Sequence, residues 1–209
     1  MKIMDRVRSA LRGNESGMAV VEFALLVPFL SLSVLMTADA ALLIMATQKV
    51  ARTAATMADL TAQSEAGTSE AQMSDALEAA RILMQPGNLD EDGRVYVTAV
   101  QGGASGIGNF ILWQRCTGGL TTEKSQLSNA TNRDVELPGG ILLDQNQLVI
   151  VAEAYLDYTP IFPNAVFKQQ TIRQVAVARP RNLSFTLLTP DGSDPQDACG
   201  SNVTQPPAN

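Results

Sequence analysis

Residues 17–46 read GMAVVEFALLVPFLSLSVLMTADAALLIMA, and this run is apolar except for two carboxylates, Glu22 and Asp39. Residues 23–46 exceed the roughly 20 residues with which an α-helix crosses a bilayer. An acidic residue at mid-membrane costs about 2.5–3.5 kcal/mol and less near the edge, where Glu22 lies. The run therefore predicts a membrane-spanning helix with a carboxylate at its head, and such a carboxylate needs a partner.

The flanks of this run predict its orientation. The segment before Gly17 carries four basic and two acidic residues, a net charge of +2. Lys49 and Arg52 follow the run, and then the chain turns acidic. Because Lys and Arg concentrate on the cytoplasmic side of membrane helices, we expect the N-terminus in the cytoplasm and the chain after residue 46 outside.

Three interpretations of this N-terminus are open. A cleaved secretory signal peptide has a small-x-small site in Ala-Asp-Ala at residues 38–40, although the apolar run continues past it. In an uncleaved signal anchor, Glu22 is incidental. In a type IV pilin-like leader, a short basic peptide ends in glycine and is followed by a helix with glutamate at its fifth position, so that Glu22 has a function.

Residues 17–30, GMAVVEFALLVPFL, resemble the start of TadE/TadF-like minor pseudopilins. These are type IV pilin-like proteins of the tight-adherence (Tad, or Flp-type) pilus of bacteria. The resemblance rests on Gly17, the VEFAL block at residues 21–25 and Pro28. The family is often described with Glu-Tyr where this chain has Glu22-Phe23.

A weaker resemblance lies near the C-terminus. Residues 157–163, DYTPIFP, and residues 175–181, VAVARPR, are similar to the tail of TadE-like proteins. The middle of the chain matches no motif of the family.

The resemblance implies a structural subunit that a prepilin peptidase cleaves between Gly17 and Met18. The new amino group of Met18 then pairs with Glu22, in its own chain or in a neighbour, and residues 22 and 23 belong to the assembly segment. A proline in a helix costs ~3 kcal/mol in water and is tolerated in membranes, so Pro28 is expected to kink this helix.

The implied partners are the prepilin peptidase, a companion minor pilin or pseudopilin, and the major pilin subunits. The implied location is the bacterial inner membrane, which the chain crosses once, with a cytoplasmic N-terminus and a periplasmic domain, and then the pilus at the cell surface. The alternative is a bitopic membrane-anchored binding or adhesion module that takes no part in pilus assembly.

Composition argues against other classes. The chain has no histidine, the commonest general base and metal ligand. Its net charge is −6, and removal of residues 1–17 leaves −8, which disfavours nucleic acid as a partner. The glycine-rich residues 102–108 lack the lysine of a phosphate loop, and the acidic residues 90–92 lack the spacing of a calcium loop. We therefore expect no enzyme, no catalytic residue, no cofactor and no metal site.

Cys116 and Cys199 are the two cysteines of the chain. Outside the cytoplasm, two cysteines favour one disulfide, which here closes a loop of 83 residues. Two free thiols are the alternative.

Periodicity predicts an α+β fold. The first helix is expected to run from residue 18 to about 64, with Val50, Ala54, Met57 and Thr61 on one face. A second helix starts at a capping box of Ser69 and Gln72 and stops at residues 86–87, Pro-Gly.

After Gly93 the pattern changes to strands, expected at residues 94–100, 107–116, 147–158 and 170–179, with an edge strand at 182–188. Residues 117–140 are polar and predict a surface loop. The predicted organisation is a leader at 1–17, a transmembrane and assembly segment at 18–46, an exported pilin-like domain at 47–188 and an irregular tail at 189–209. It places an antiparallel sheet against the helices.

Overall fold

The computed structural model describes residues 16–63, 69–85, 87–103, 108–127, 135–162, 167–181 and 188. It contains helices α1 (Ser16–Ala62), α2 (Glu70–Leu83) and α3 (Leu89–Asp92), and strands β1 (Gly93–Gly102), β2 (Asn109–Thr117), β3 (Leu148–Tyr158) and β4 (Gln170–Ala178). A 3-10 turn at Pro138–Gly140 precedes β3. The predicted α+β class is confirmed, as are the long first helix, the second helix and the antiparallel sheet.

The four strands form one antiparallel sheet in the order β2-β1-β3-β4. Alternation along β1 sends Val95, Val97 and Ala99 to the face that the helices cover. Alternate residues of β3, Ala154 and Ile150 among them, join the same core. β1 pairs with both β2 and β3 and therefore lies between them in the sheet.

The second half of α1 and the whole of α2 pack on this face. Every predicted core position of α1, at residues 50, 54, 57 and 61, is buried. The capping box of α2 is present, because the Ser69 hydroxyl accepts from the Gln72 N–H at 3.2 Å and the Gln72 side chain accepts from the Ser69 N–H at 2.9 Å. Met73, Leu77 and Ala80 bury one side of α2.

The opposite face of the sheet is covered by the segment between β2 and β3. Leu127, Val135 and Leu137 of this segment are buried against Val100 and Val151 of the sheet. The prediction of a surface loop at 117–140 is therefore wrong for these positions. The physical reason is that the second face of β1 and β3 is also apolar. The few apolar residues of the largely polar loop are therefore buried against this face.

Several predicted features lie outside the described residues. They include residues 1–15 of the leader, residues 104–107 of the glycine-rich turn and the tail at 189–209. Residues 182–187 of the predicted edge strand also lie outside, and Leu188 is buried without being part of a strand.

Candidate functional site

The first half of α1 is not buried by the described part of the domain. Residues 17–38 are all exposed, and mean hydropathy reaches 2.2 over an 18-residue window of which none is buried. At 1.5 Å per residue these 22 residues span about 33 Å, close to the roughly 30 Å of a bilayer hydrocarbon core. Among the described residues, α1 is the one helix with the length and composition to cross a membrane. We call residues 17–38 the free half of α1.

Hydroxyl groups within the free half bond to their own helix. Ser33 donates to the Phe29 carbonyl at 2.8 Å, Thr37 donates to the Ser33 carbonyl at 2.8 Å, and Ser31 donates to the Pro28 carbonyl at 3.0 Å. An unpaired hydroxyl in an apolar medium costs several kcal/mol. Because these three hydroxyls are paired, they add no unpaired polar group to a helix that lies in hydrocarbon.

Pro28 lies inside α1, and the helix is continuous on both sides of it. Proline lacks an N–H and therefore leaves the carbonyl four residues before it without its helical donor. The predicted kink at Pro28 stays a prediction.

Glu22 is the only charged residue of the free half. It is exposed and lies one helical turn after Met18, so that both side chains are on the same side of α1. Gly17 and Met18 lie in the first turn, and a Cβ at Gly17 would meet nothing within 4 Å. Phe23 is exposed next to Glu22. The predicted cleavage site and the predicted carboxylate thus lie within the first two turns of the described part of α1.

Asp39 ends the free half. Its carboxylate is 2% exposed, and its two oxygens accept from the backbone N–H groups of Ile161 at 3.1 Å and Phe162 at 3.4 Å. The Tyr158 hydroxyl donates to the Asp39 carbonyl at 3.4 Å. Burial, together with the negative charge of Asp39, raises the pKa of Tyr158.

These bonds join the middle of α1 to the DYTPIFP segment at residues 157–163. Sequence reasoning treated Asp39 as an interruption of the apolar run and missed this role. The free half ends at residue 38, before the predicted boundary at residue 46, since Leu43 and Ala46 already pack against the core. A buried carboxylate requires hydrogen-bond donors. The Pro-containing turn after β3 was the one signal in the sequence that could have suggested them, because backbone N–H groups in a turn often lack a partner in the sheet.

A second polar cluster lies on the sheet face away from the helices, and it too was missed. Glu153 of β3 is fully buried. Its carboxylate accepts from Arg173 Nη2 at 2.8 Å, from the Gln126 N–H at 3.2 Å and from the Ser125 hydroxyl. The Tyr155 hydroxyl lies 3.1 Å from the same carboxylate. The carboxylate is surrounded by donors from three segments, an arrangement that holds the covering loop to the sheet.

Aromatic and cationic side chains extend this cluster along the sheet. The rings of Tyr155 and Tyr96 meet edge to face at 6.0 Å, and Arg94 lies over Tyr96 at 5.4 Å. The Tyr96 hydroxyl donates to the Glu123 carbonyl at 2.7 Å. Burial raises the pKa of Tyr155 well above its ordinary range, and the negative charge of Glu153 adds to this effect. The cluster stabilises the fold and is not an open binding site, because its polar groups bond to other groups of the same domain.

Where β2 ends, the chain turns at Gly118, whose φ of +110° favours glycine. The Gly118 carbonyl accepts from Arg94 Nη1 at 2.5 Å, and Arg94 Nη2 lies 3.1 Å from Cys116 Sγ. Cys116 is buried and is not a free thiol. Cys199 lies outside the described residues, so its pairing with Cys116 stays a prediction.

Within the described part of the chain, no group of three or more potential ligands is placed to hold a metal ion. Comparison with known proteins gives no match to any family model, curated protein or solved structure.

Proposed function

We propose that this chain is a structural minor pilin, a TadE/TadF-like pseudopilin that takes part in the assembly of a Tad-type pilus through helix–helix packing. It is inserted once into the bacterial inner membrane with its domain in the periplasm. A prepilin peptidase cuts between Gly17 and Met18, and the apolar helix is then extracted into the filament next to a companion minor pilin and the major pilin.

One observation carries this proposal. The free half of α1 is apolar, long enough to span a bilayer and exposed on every side, and its single carboxylate lies near the start of the described helix. A helix that is apolar all round must be covered by lipid or by other helices. A pilin subunit meets both environments: lipid surrounds the helix before assembly, and neighbouring helices surround it in the filament.

The position of Glu22 supports the same function. After the cut, the ammonium of Met18 lies one turn from the Glu22 carboxylate on the same side of the helix. Removing one partner of a buried ion pair costs about 3–5 kcal/mol. Pairing between neighbouring chains therefore favours one axial register of the helices in the filament.

Asp39 argues against a cleaved signal peptide. Cleavage after Ala40 would remove the carboxylate that holds the N–H groups of Ile161 and Phe162. These two partly buried N–H groups would then lose their acceptor, at a cost of about 1–3 kcal/mol in total. A helix retained in the mature protein avoids this loss.

The deciding experiment is the intact mass of the protein recovered from cells with an active prepilin peptidase and from cells with an inactive one. We expect loss of residues 1–17 in the first case and the full chain in the second. A full-length chain in both, or a chain that starts at Ala41, contradicts the pilin proposal.

The binding-module alternative has one observation in its favour. A cavity of about 580 Å³ opens on the covering segment, between Leu127, Glu136 and Leu142, and Leu142 is 85% exposed. An uncleaved chain that stays in the membrane and is absent from pili would favour this alternative.

A further inference from the structure

A groove runs alongside α1 where the free half meets the domain. Its volume is about 610 Å³, and its apolar lining includes Leu42 and Met45 of α1 and Ile161 of the turn after β3. Lys49 and Arg52 of α1 line the same groove. We propose that this groove binds an anionic phospholipid of the membrane that α1 crosses, an inference that rests on the membrane-spanning part of the proposed function.

The apolar part of the groove continues the apolar surface of the free half, and Lys49 and Arg52 lie about 6 and 11 Å beyond Met45 along the helix. Leu42 and Met45 follow Asp39 by three and six residues, which places them about 5 and 9 Å beyond it along the helix. The headgroup layer on each side of a bilayer is about 5–8 Å thick. Met45 and Ile161 are 64% and 59% exposed, so their apolar surface is open to the upper part of an acyl chain.

The basic part of the groove is not neutralised by the protein. Among the described residues, no carboxylate lies within salt-bridge distance of Lys49 or Arg52. Side chains on a helix lean toward its N-terminus, which for α1 is the direction of the membrane. An arginine fork and a lysine ammonium both bind phosphate oxygens, and basic residues near a membrane surface attract anionic lipids.

The turn after β3 lines the groove opposite α1. Asp39 holds the backbone of Ile161 and Phe162 next to the end of the free half, and both side chains are exposed. Tyr158, which also lines the groove, is of the residue type enriched at membrane interfaces. The apolar residues near the free half match the acyl chains of a phospholipid, and Lys49 and Arg52, farther along α1, match its phosphate.

The experiment is native mass spectrometry of the full chain in nonionic detergent, titrated with phosphatidylglycerol or with phosphatidylcholine of the same acyl chains. We expect tighter binding of phosphatidylglycerol. Lys49→Gln and Arg52→Gln should each weaken it about fivefold, and the double variant about 25-fold, with phosphatidylcholine unchanged. Lys124→Gln, an exposed charge outside the groove, is the matched control and should change neither lipid.

Met45→Glu is a second variant that places a negative charge among the apolar groups of the groove. Because Met45 is mostly exposed, folding should tolerate it, and the preference for phosphatidylglycerol should disappear. Equal binding of the two lipids by the unmodified chain overturns the proposal, as does unchanged phosphatidylglycerol binding in the double variant. If the double variant alters only association between chains, the groove belongs to a second copy and the lipid assignment fails.

Alkaline carbonate extraction separates this proposal from the pilin function. A chain that carbonate releases from membranes contradicts the membrane span on which both depend. A chain that stays in the membrane, binds phosphatidylglycerol and is never cut after Gly17 contradicts the pilin function alone.

Discussion

The carboxylate of Asp39 accepts a hydrogen bond from the backbone N–H of Ile161, with oxygen and nitrogen 3.1 Å apart, although the two residues are 122 positions apart in the sequence. This contact ties the apolar helix to the far end of the sheet domain at one buried point. It divides α1 into a half that the domain covers and a half that it leaves free.

Asp39→Ala should therefore destabilise the domain by about 1–3 kcal/mol, because the two partly buried N–H groups of Ile161 and Phe162 lose their acceptor. The check is urea unfolding of the full chain in mild detergent, followed by the fluorescence of Trp113, the single tryptophan, which is buried. Asp59→Ala is the control, since Asp59 makes an exposed ion pair with Arg181 at 3.5 Å and its loss should change stability by less than about 1 kcal/mol. Equal unfolding midpoints for the two variants would show that Asp39 contributes nothing special.

Glu22→Ala should leave membrane insertion intact and abolish pilus assembly or recruitment, because the Met18 ammonium loses its partner in the filament. Insertion is measured by resistance to carbonate extraction, and assembly by the pilus fraction sheared from cells. Glu91→Ala, an exposed carboxylate in the domain, is the control and should assemble normally. Normal piliation by the Glu22 variant contradicts the assigned role.

Arg173→Ala should destabilise the domain by about 3–5 kcal/mol, because it leaves the fully buried Glu153 carboxylate without its cation. Arg181→Ala removes an arginine of an exposed pair and should cost less than about 1 kcal/mol. The measurement is again urea unfolding. A loss below 1 kcal/mol for Arg173→Ala would mean that Ser125, Gln126 and Tyr155 suffice to hold the carboxylate.

The raised pKa of Tyr155 predicts that the free energy of unfolding decreases at alkaline pH. Burial raises its pKa in the folded protein above the unfolded value of about 10. The stability it contributes is therefore fully present below pH 10 and decreases as the pH rises further, by up to about 1.4 kcal/mol per pH unit, since the unfolded chain ionises first. Above pH 10 the slope of unfolding free energy against pH should be less steep in Tyr155→Phe. Parallel slopes would contradict the assignment.

The Cys116–Cys199 disulfide should appear as a change in mobility between reducing and non-reducing gels. Cys199→Ser removes the change and serves as the control. The bridge closes a long loop, so its loss should destabilise the chain by an amount on the order of 4 kcal/mol. Two alkylatable thiols in native extracts, with no change in mobility, would reject the bridge.

The parts of this fold that local patterns encode were predictable. The capping box at Ser69 and Gln72 starts α2 where expected, and the alternation in β1 assigns Val95 and Tyr96 to opposite faces. These features depend on neighbouring residues only, so a single sequence contains them in full.

The parts that depend on distant residues were not predictable. Glu153 lies in an apolar strand, yet its donors come from the loop at 125–126 and from Arg173 on the next strand. Asp39 is flanked by apolar residues, so in the sequence it reads as an unfavourable charge in a membrane helix. Its donors, Ile161 and Phe162, are more than 120 positions away. In both cases one buried carboxylate was visible in the sequence, but its donors were not.

The continuity of α1 has a geometric consequence for any assembly. Glu22 and Asp39 are seventeen residues apart on one uninterrupted helix, and at about 100° per residue their side chains point about 100° apart around its axis. If Glu22 fixes the rotation of α1 within a filament, the spacing between these two carboxylates sets the direction in which the domain projects from the filament. One residue inserted between them would swing the domain by about 100° while leaving the helix just as apolar and just as able to enter a membrane.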